Sequence, residues 1–144
     1  MSVIAARVVA IAETWIGTPY RHQASTRGVG CDCLGLVRGI WREIYGVEPE
    51  PVAPYAPDWA ERSGKERLLE AAGRHCAAVQ HLGEALPGDL VIFRFRQQFA
   101  AKHAGILAAP DAFIHAYEQA AVIRSALVPA WSRRIAGIYR FPEI

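Results

Sequence analysis

Three cysteine and histidine positions in this sequence could support nucleophilic chemistry. Gly28 to Trp41 reads G-V-G-C-D-C-L-G-L-V-R-G-I-W. A glycine-rich turn delivers Cys31, Asp32 and Cys33. Leu36, Val37, Ile40, Trp41 and Ile44 then recur at the three- and four-residue steps of one helix face. Cys33 is therefore expected at the first turn of a buried helix, where unpaired backbone N–H groups and the helix dipole favour an anion such as thiolate. Cys31 precedes the expected cap and lacks that field. A thiol nucleophile needs a base, and the base needs a partner to orient it. His103 and His115 fall in two strand-like runs joined by a turn centred on Ala109. That centre predicts a directly opposed cross-strand pair with both side chains on one side. One imidazole could take the thiol proton while the other holds its far nitrogen.

The elements that must position these groups follow from the pattern. Ser2 caps a first helix that offers Ile4, Val8, Ile11, Ala12 and Trp15 to a core, and Gly17 ends it. The central helix runs from about Asp32, its expected N-cap, to Tyr45, with Gly46 as its stop. Residues 47–58 hold four prolines and read as an irregular surface arm. Ser63 and Glu66 match a capping box ahead of Leu68, Leu69 and Ala72, with Gly73 closing that helix. Strands are expected at Leu90–Phe95, His103–Ala108, Ala112–Tyr117, Ala121–Leu127 and Ile135–Phe141. Helices first and strands afterwards give an α+β class: N-terminal helices packed on a roughly five-stranded antiparallel sheet.

Composition bounds the rest. The 144 residues are 52% hydrophobic and 21% charged, which suits one domain over residues 1–144. A net charge of +2 gives no reason to expect a nucleic-acid partner. Arg7 and Glu13 interrupt the apolar N-terminus, so no signal peptide is expected, and synthesis in the cytoplasm without membrane insertion follows. Three cysteines argue against a disulfide framework. Cys31, Cys33, His75 and Cys76 offer four zinc-type ligands, but C-x-C is unlike the usual C-x₂-C knuckle. No metal or organic cofactor is expected.

Four motifs in order add a resemblance. D-C-L-G-L-V (Asp32 to Val37), P-G-D-L-V-I-F (Pro87 to Phe93), K-H-A-G-I-L (Lys102 to Leu107) and F-I-H-A (Phe113 to Ala116) closely resemble the NlpC-type, papain-like cysteine peptidases of bacterial cell-wall turnover. The resemblance implies Cys33 as nucleophile, His103 as base, His115 as the orienting third member, and Tyr20 as an aid to the oxyanion. Asp89 matches the aspartate of the P-G-D turn, a structural role. The implied reaction is hydrolysis of peptidoglycan stem-peptide amide bonds, typically between γ-D-glutamate and diaminopimelate. I-G-T-P-Y-R-H-Q-A-S and the segment Pro54 to Trp59 look most like the subgroup of phage tails and gene transfer agents. That subgroup implies tail-tip or hub partners and action on a host wall from a phage-like particle.

Two departures stand beside the expected cleft: Leu34 where the family usually has serine, and His22-Gln23-Ala24 where it usually has a W-G-G-type run. A non-catalytic tail component, or an amidase or acyltransferase on the same scaffold, are the alternatives. Arg94, Arg96 and Lys102 suit either carboxylates on a substrate or a solvated sheet edge. His22 suits either the site or the surface. His75, His81, Arg133 and Arg134 need no functional role, and Trp15, Trp41, Phe93 and Phe113 read as core.

Overall fold

Two short polar side chains start the long helices. In the computed structural model, which describes residues 2–144 apart from the side chains of Arg62 and Ser63, Ser2 Oγ accepts from Ala5 N at 3.0 Å and opens α1, Val3–Trp15. A small antiparallel hairpin follows, β1 (Ser25–Thr26) and β2 (Gly30–Cys31). Asp32 Oδ1 then accepts from Gly35 N at 2.7 Å and opens α2, Cys33–Tyr45. Gly46, at φ +89°, takes the left-handed conformation that stops it.

The proline-rich stretch is irregular, as its composition dictates, and leads into α3 (Trp59–Ser63) and α4 (Arg67–His75). The expected Ser63–Glu66 box falls partly outside the described residues, because the Ser63 side chain is among those excepted. Glu66 makes no capping bond. It accepts from Ala101 N at 2.8 Å and pairs with Arg94 at 2.5 Å, so a tertiary role displaces the local one. Gly73 lies inside α4 rather than closing it.

The remaining strands are β3 (Ala77–Ala78), β4 (Leu90–Phe93), β5 (His103–Ala109), β6 (Ala112–Ala116), β7 (Val122–Ala126) and β8 (Ile135–Arg140). A short helix α5, Pro129–Ser132, precedes β8. They form one sheet of six strands in the order β3-β8-β4-β5-β6-β7, every neighbour antiparallel. The strand missing from the expected five is β3, whose two residues are too few to carry an alternating pattern. The α+β class stands.

Both faces of the sheet are covered, which is why β4, β5 and β6 read as unbroken apolar runs. On one face Leu90, Ile92, Ala104, Ile106 and Ile114 meet Ile4, Val8 and Trp15 of α1 and Leu36 and Ile40 of α2. Each such fully buried aliphatic or aromatic side chain contributes roughly 1.5–3 kcal/mol. On the other face Val91, Phe93, Leu107 and Phe113 pack with Leu127, Trp131 and Ile135. This second layer holds the histidines.

Candidate active site

Cys33 is the first residue of α2. As such its backbone N–H has no intrahelical acceptor and points out of the helix end. Its Sγ donates to the carbonyl of Lys102 at 3.4 Å, the residue immediately before His103. Cys31 is fully buried and Cys76 lies at the end of α4, so neither has comparable company.

His103 and His115 share a face of the sheet but are not directly opposed. Gly105 faces His115, Ile106 faces Ile114 and Leu107 faces Phe113. The two-residue turn Pro110-Asp111 and a bulge around Ala108 move the register by two from the expected centre at Ala109. A shift of two preserves the face and makes the pair diagonal. His103 Nε2 still meets His115 Nδ1 at 2.8 Å. That leaves Nδ1 as the His103 nitrogen available to a thiol. Gly105 makes room: a Cβ there would lie 3.1 Å from His115 Cβ and 3.0 Å from Phe113 Cδ2.

Aromatic rings enclose the pair. Phe93, Phe95 and Trp131 have ring centroids 5.8, 5.6 and 5.6 Å from that of His103, and Phe113 lies 4.3 Å from His115. Burial, then the neighbouring His115 and Lys102, push the His103 pKa down to about 3; burial alone pushes His115 to about 4. Burial and Asp32 push the Cys33 thiol up to about 12, opposed by the backbone N–H groups of Ala104 and Leu34. Burial and Asp32 therefore oppose the expected thiolate at the helix end. Local helix geometry favours the anion, while desolvation and an adjacent carboxylate work against it, so the shifts of Cys33 and His103 both run toward the neutral forms. The ring faces around His103 would steady the imidazolium as it forms.

The depressed histidines also shape stability. An unfolded histidine binds a proton below about pH 6.5, whereas these two stay neutral to about 3 and 4. Stability from their burial is complete above about pH 6.5 and is lost as pH falls through that window. The urea midpoint should thus be lower at pH 5 than at pH 7.5. Replacing both histidines with glutamine should flatten that difference, and an unchanged slope would refute the assignment.

Asp32 gathers a cluster that the sequence reveals only in part. Its carboxylate, 3% exposed as a residue, accepts from Gly35 N, from Gln23 N at 2.8 Å and from the Tyr55 hydroxyl. The Tyr55 carbonyl meets His22 Nε2 at 2.7 Å and accepts from Gln23 Nε2 at 2.5 Å. The proline-rich arm is thereby pinned beside the nucleophile as a cleft wall. Tyr20 lies on the β2 side, bridged to Cys31. Burial, then Cys33, raises the pKa of its phenol, and burial and Asp32 do the same for Tyr55. Phe95 and Trp131 escape a reading of motifs because long-range packing brings them in.

The NlpC/P60 family model matches residues 17–140. The chain belongs to the NlpC/P60 family. It is 33% identical over 138 residues to the gamma-DL-glutamyl hydrolase of Bacillus subtilis, spanning 95% of this chain and 29% of that protein. To the probable endopeptidase NlpC of Escherichia coli it is 30% identical over 115 residues, 80% of this chain and 63% of that one. The chain thus spans less than two thirds of these relatives. Among solved structures, NlpC2 from Trichomonas vaginalis superposes with a TM-score of 0.70 at 19% identity, covering 96% of this chain and 46% of that one. The NlpC/p60 domain of the peptidoglycan hydrolase SagA gives 0.65 at 19% identity, covering 95% and 98%. These likenesses show the papain-like NlpC/P60 fold.

Within this NlpC/P60 chain the other singled-out residues fall into place. Asp89, 1% exposed, accepts from Leu86 N at 2.8 Å and takes both arms of Arg140 at 2.9 Å, a turn-and-strand clasp. Arg94 and Lys102 are paired internally with Glu66 and Glu61, each at 2.5 Å. His22 stands against the arm, His75 pairs with Glu50 at 2.6 Å, and His81 is exposed. Leu34, at the family's serine position, is half-buried, and its N–H faces the thiol. Among the described residues no three His, Cys, Asp or Glu side chains converge to hold a metal ion, and no helix is long and apolar enough to cross a membrane.

Proposed function

We propose that the chain is a cysteine peptidase cleaving amide bonds of peptidoglycan stem peptides, at the γ-D-glutamyl–diaminopimelate bond. The observation that carries this is Cys33 Sγ held against the carbonyl of Lys102, the residue preceding His103, with His103 Nε2 engaged by His115 at 2.8 Å, which leaves Nδ1 as the nitrogen free for the thiol. Two relatives named as a glutamyl hydrolase and a probable endopeptidase support the same reaction class.

The steps are written from a thiol beside an imidazole whose Nδ1 is bare. As Cys33 Sγ bonds to the substrate carbonyl carbon, its proton passes to His103 Nδ1. The oxyanion is met by the Cys33 backbone N–H, with the Tyr20 hydroxyl as second donor. Collapse breaks the C–N bond, and the departing amine takes the proton from Nδ1, leaving a thioester. Water then gives a proton to the same nitrogen and attacks, and Cys33 leaves as a thiol once that proton returns. A recess of about 220 Å³ lined by Glu61, Phe95, Arg96, Phe99, Ala100 and Lys102 adjoins His103 and offers room for one side of the peptide. A larger one of about 450 Å³, between Ala78–Leu82 and β8, shares no residue with the site.

The biological setting we propose is a phage-like tail, where hub or tip proteins bring the domain to a host wall. Support is the likeness of the I-G-T-P-Y-R-H-Q-A-S opening and of the segment Pro54 to Trp59 to that subgroup, the two being tied together where Gln23 and Asp32 meet Tyr55. Mass spectrometry of purified peptidoglycan after incubation tests the reaction. Wild type should release fragments with new ends at the γ-D-glutamyl bond, and Cys33→Ala should release none. New ends at the muramoyl–alanine bond would assign an amidase instead. Identical fragments from both proteins would remove the proposal.

A further inference from the structure

His115 has a second partner that the three-residue site does not use. Its Nε2 lies 2.8 Å from Ser125 Oγ on β7. The placement repeats the step between the histidines: Phe113 faces Ser125 and Ile123 faces His115, so Ser125 sits diagonally from His115 on the same face. His103, His115 and Ser125 thus form one diagonal line across β5, β6 and β7.

We infer that Ser125 is a positioning residue that sets the proton order of the histidine pair and so keeps His103 able to act as a base. This rests on the reading of Cys33 and His103 as nucleophile and base. To accept from the thiol, His103 Nδ1 must be bare, so its hydrogen sits on Nε2 and is donated to His115 Nδ1. His115 Nδ1 must then be bare too, and its hydrogen sits on Nε2. His115 is fully buried among Phe113 and Trp131, where an N–H without an acceptor is costly. Ser125 Oγ is the acceptor in reach.

Without it the cheaper order runs the other way. His115 then carries hydrogen on Nδ1, Nε2 is left as an unfilled acceptor, and His103 presents an N–H to the thiol. That form cannot take a proton from Cys33. Bare buried acceptors are tolerated better than orphaned N–H groups, which gives the preference its sign. The charged neighbours do not decide it. Lys102 acts on His103 alone, and nothing but burial shifts His115.

The test needs no peptide substrate. Long-range ¹H–¹⁵N correlation spectra of the full chain report which imidazole nitrogen carries hydrogen, and iodoacetamide reports Cys33 reactivity against pH. Wild type should show both histidines in the Nε2–H form. Ser125→Ala should convert His103 toward Nδ1–H and slow Cys33 alkylation about tenfold. Ser125→Thr, which keeps the hydroxyl, should restore both readouts to within about twofold. Ser125→Asp, which can only accept, should hold the Nε2–H form and move the acid limb of the alkylation profile to higher pH.

Wild type with Nδ1–H on His103 would overturn the inference. So would an alanine variant with unchanged tautomers and rate, or a folded threonine variant as slow as alanine. Loss of peptidoglycan cleavage specificity with these readouts intact would instead count against the proposed substrate.

Discussion

Replacing Cys33 with serine should lower amide hydrolysis by at least about 10⁴-fold, because nucleophile and base act as a unit and the loss of either removes nearly all the catalysis they supply. A hydroxyl is far less acidic than a thiol, and the base at hand is an imidazole whose proton affinity burial lowers. A serine there would have to surrender its proton to a poorer acceptor than a serine hydrolase provides. The other thiols serve as controls. Cys31 is fully buried and Cys76 lies between α4 and the edge strand β3, away from β5 and β6, so their serine variants should keep activity within about twofold. Burial holds all three thiols high, at about 12 for Cys33 and Cys31 and about 11 for Cys76. Selective alkylation of Cys33 would therefore report the neighbouring imidazole rather than a lowered thiol pKa. Even labelling across the three cysteines, or cleavage retained by Cys33→Ser, would refute the assignment.

Gly35→Ala should cost about 2 kcal/mol of stability and about 10² in activity. A Cβ at Gly35 would lie 1.8 Å from the Ala24 carbonyl oxygen and 3.1 Å from Asp32 Oδ1. The loop before α2 lies directly on the first turn, tied by Ser25 Oγ donating to Gly35 O at 2.6 Å and by Asp32 N donating to Ala24 O at 3.3 Å. Overpacking against backbone typically costs about 1–3 kcal/mol, offset by up to about 1 kcal/mol from the better helix propensity of alanine. The larger effect falls on chemistry. The displaced turn carries Cys33, and a shift of about 1 Å in a reacting group can cost about 10² in rate. Gly73→Ala is the matched control: it sits inside α4 with no atom within 4 Å of the added carbon. It should be neutral or slightly stabilising in a thermal melt. A Gly35→Ala protein as stable and active as wild type would show that the loop yields freely.

The parts of this site that were legible in the sequence are those set by local rules. Asp32 as cap, Cys33 as first helical residue and Gly46 as stop follow from neighbours a few positions away. The shared face of His103 and His115 was legible for a different reason: strand periodicity is two, and the turn at Pro110-Asp111 together with the bulge near Ala108 moved the register by an even number. Their direct opposition does not occur, because the turn closes at Pro110-Asp111 rather than at Ala109 and nothing in Ala108–Ala109 announces the bulge beside it. The helix end favours an anion at Cys33 by a local rule, whereas the desolvation that opposes it comes from packing that no local rule reports. Trp131 and Ser125 carry no local signal, and the segment Pro54 to Trp59 stood out in the sequence without any sign that Tyr55 would reach Asp32. Each reaches the site through packing between segments distant in sequence, and β3 is too short to show an alternation at all.

The diagonal line of His103, His115 and Ser125 makes the chemistry a reporter of strand alignment. A one-residue slip between β5 and β6 would send His115 to the helical side of the sheet, and a two-residue slip would keep the side but break the contact. Either misaligned sheet could bury much the same apolar area and give a similar spectrum of secondary structure. Neither could deprotonate Cys33. During refolding, recovery of thiol reactivity at Cys33 should therefore trail the recovery of β-sheet signal by whatever time the two strands need to find their proper pairing.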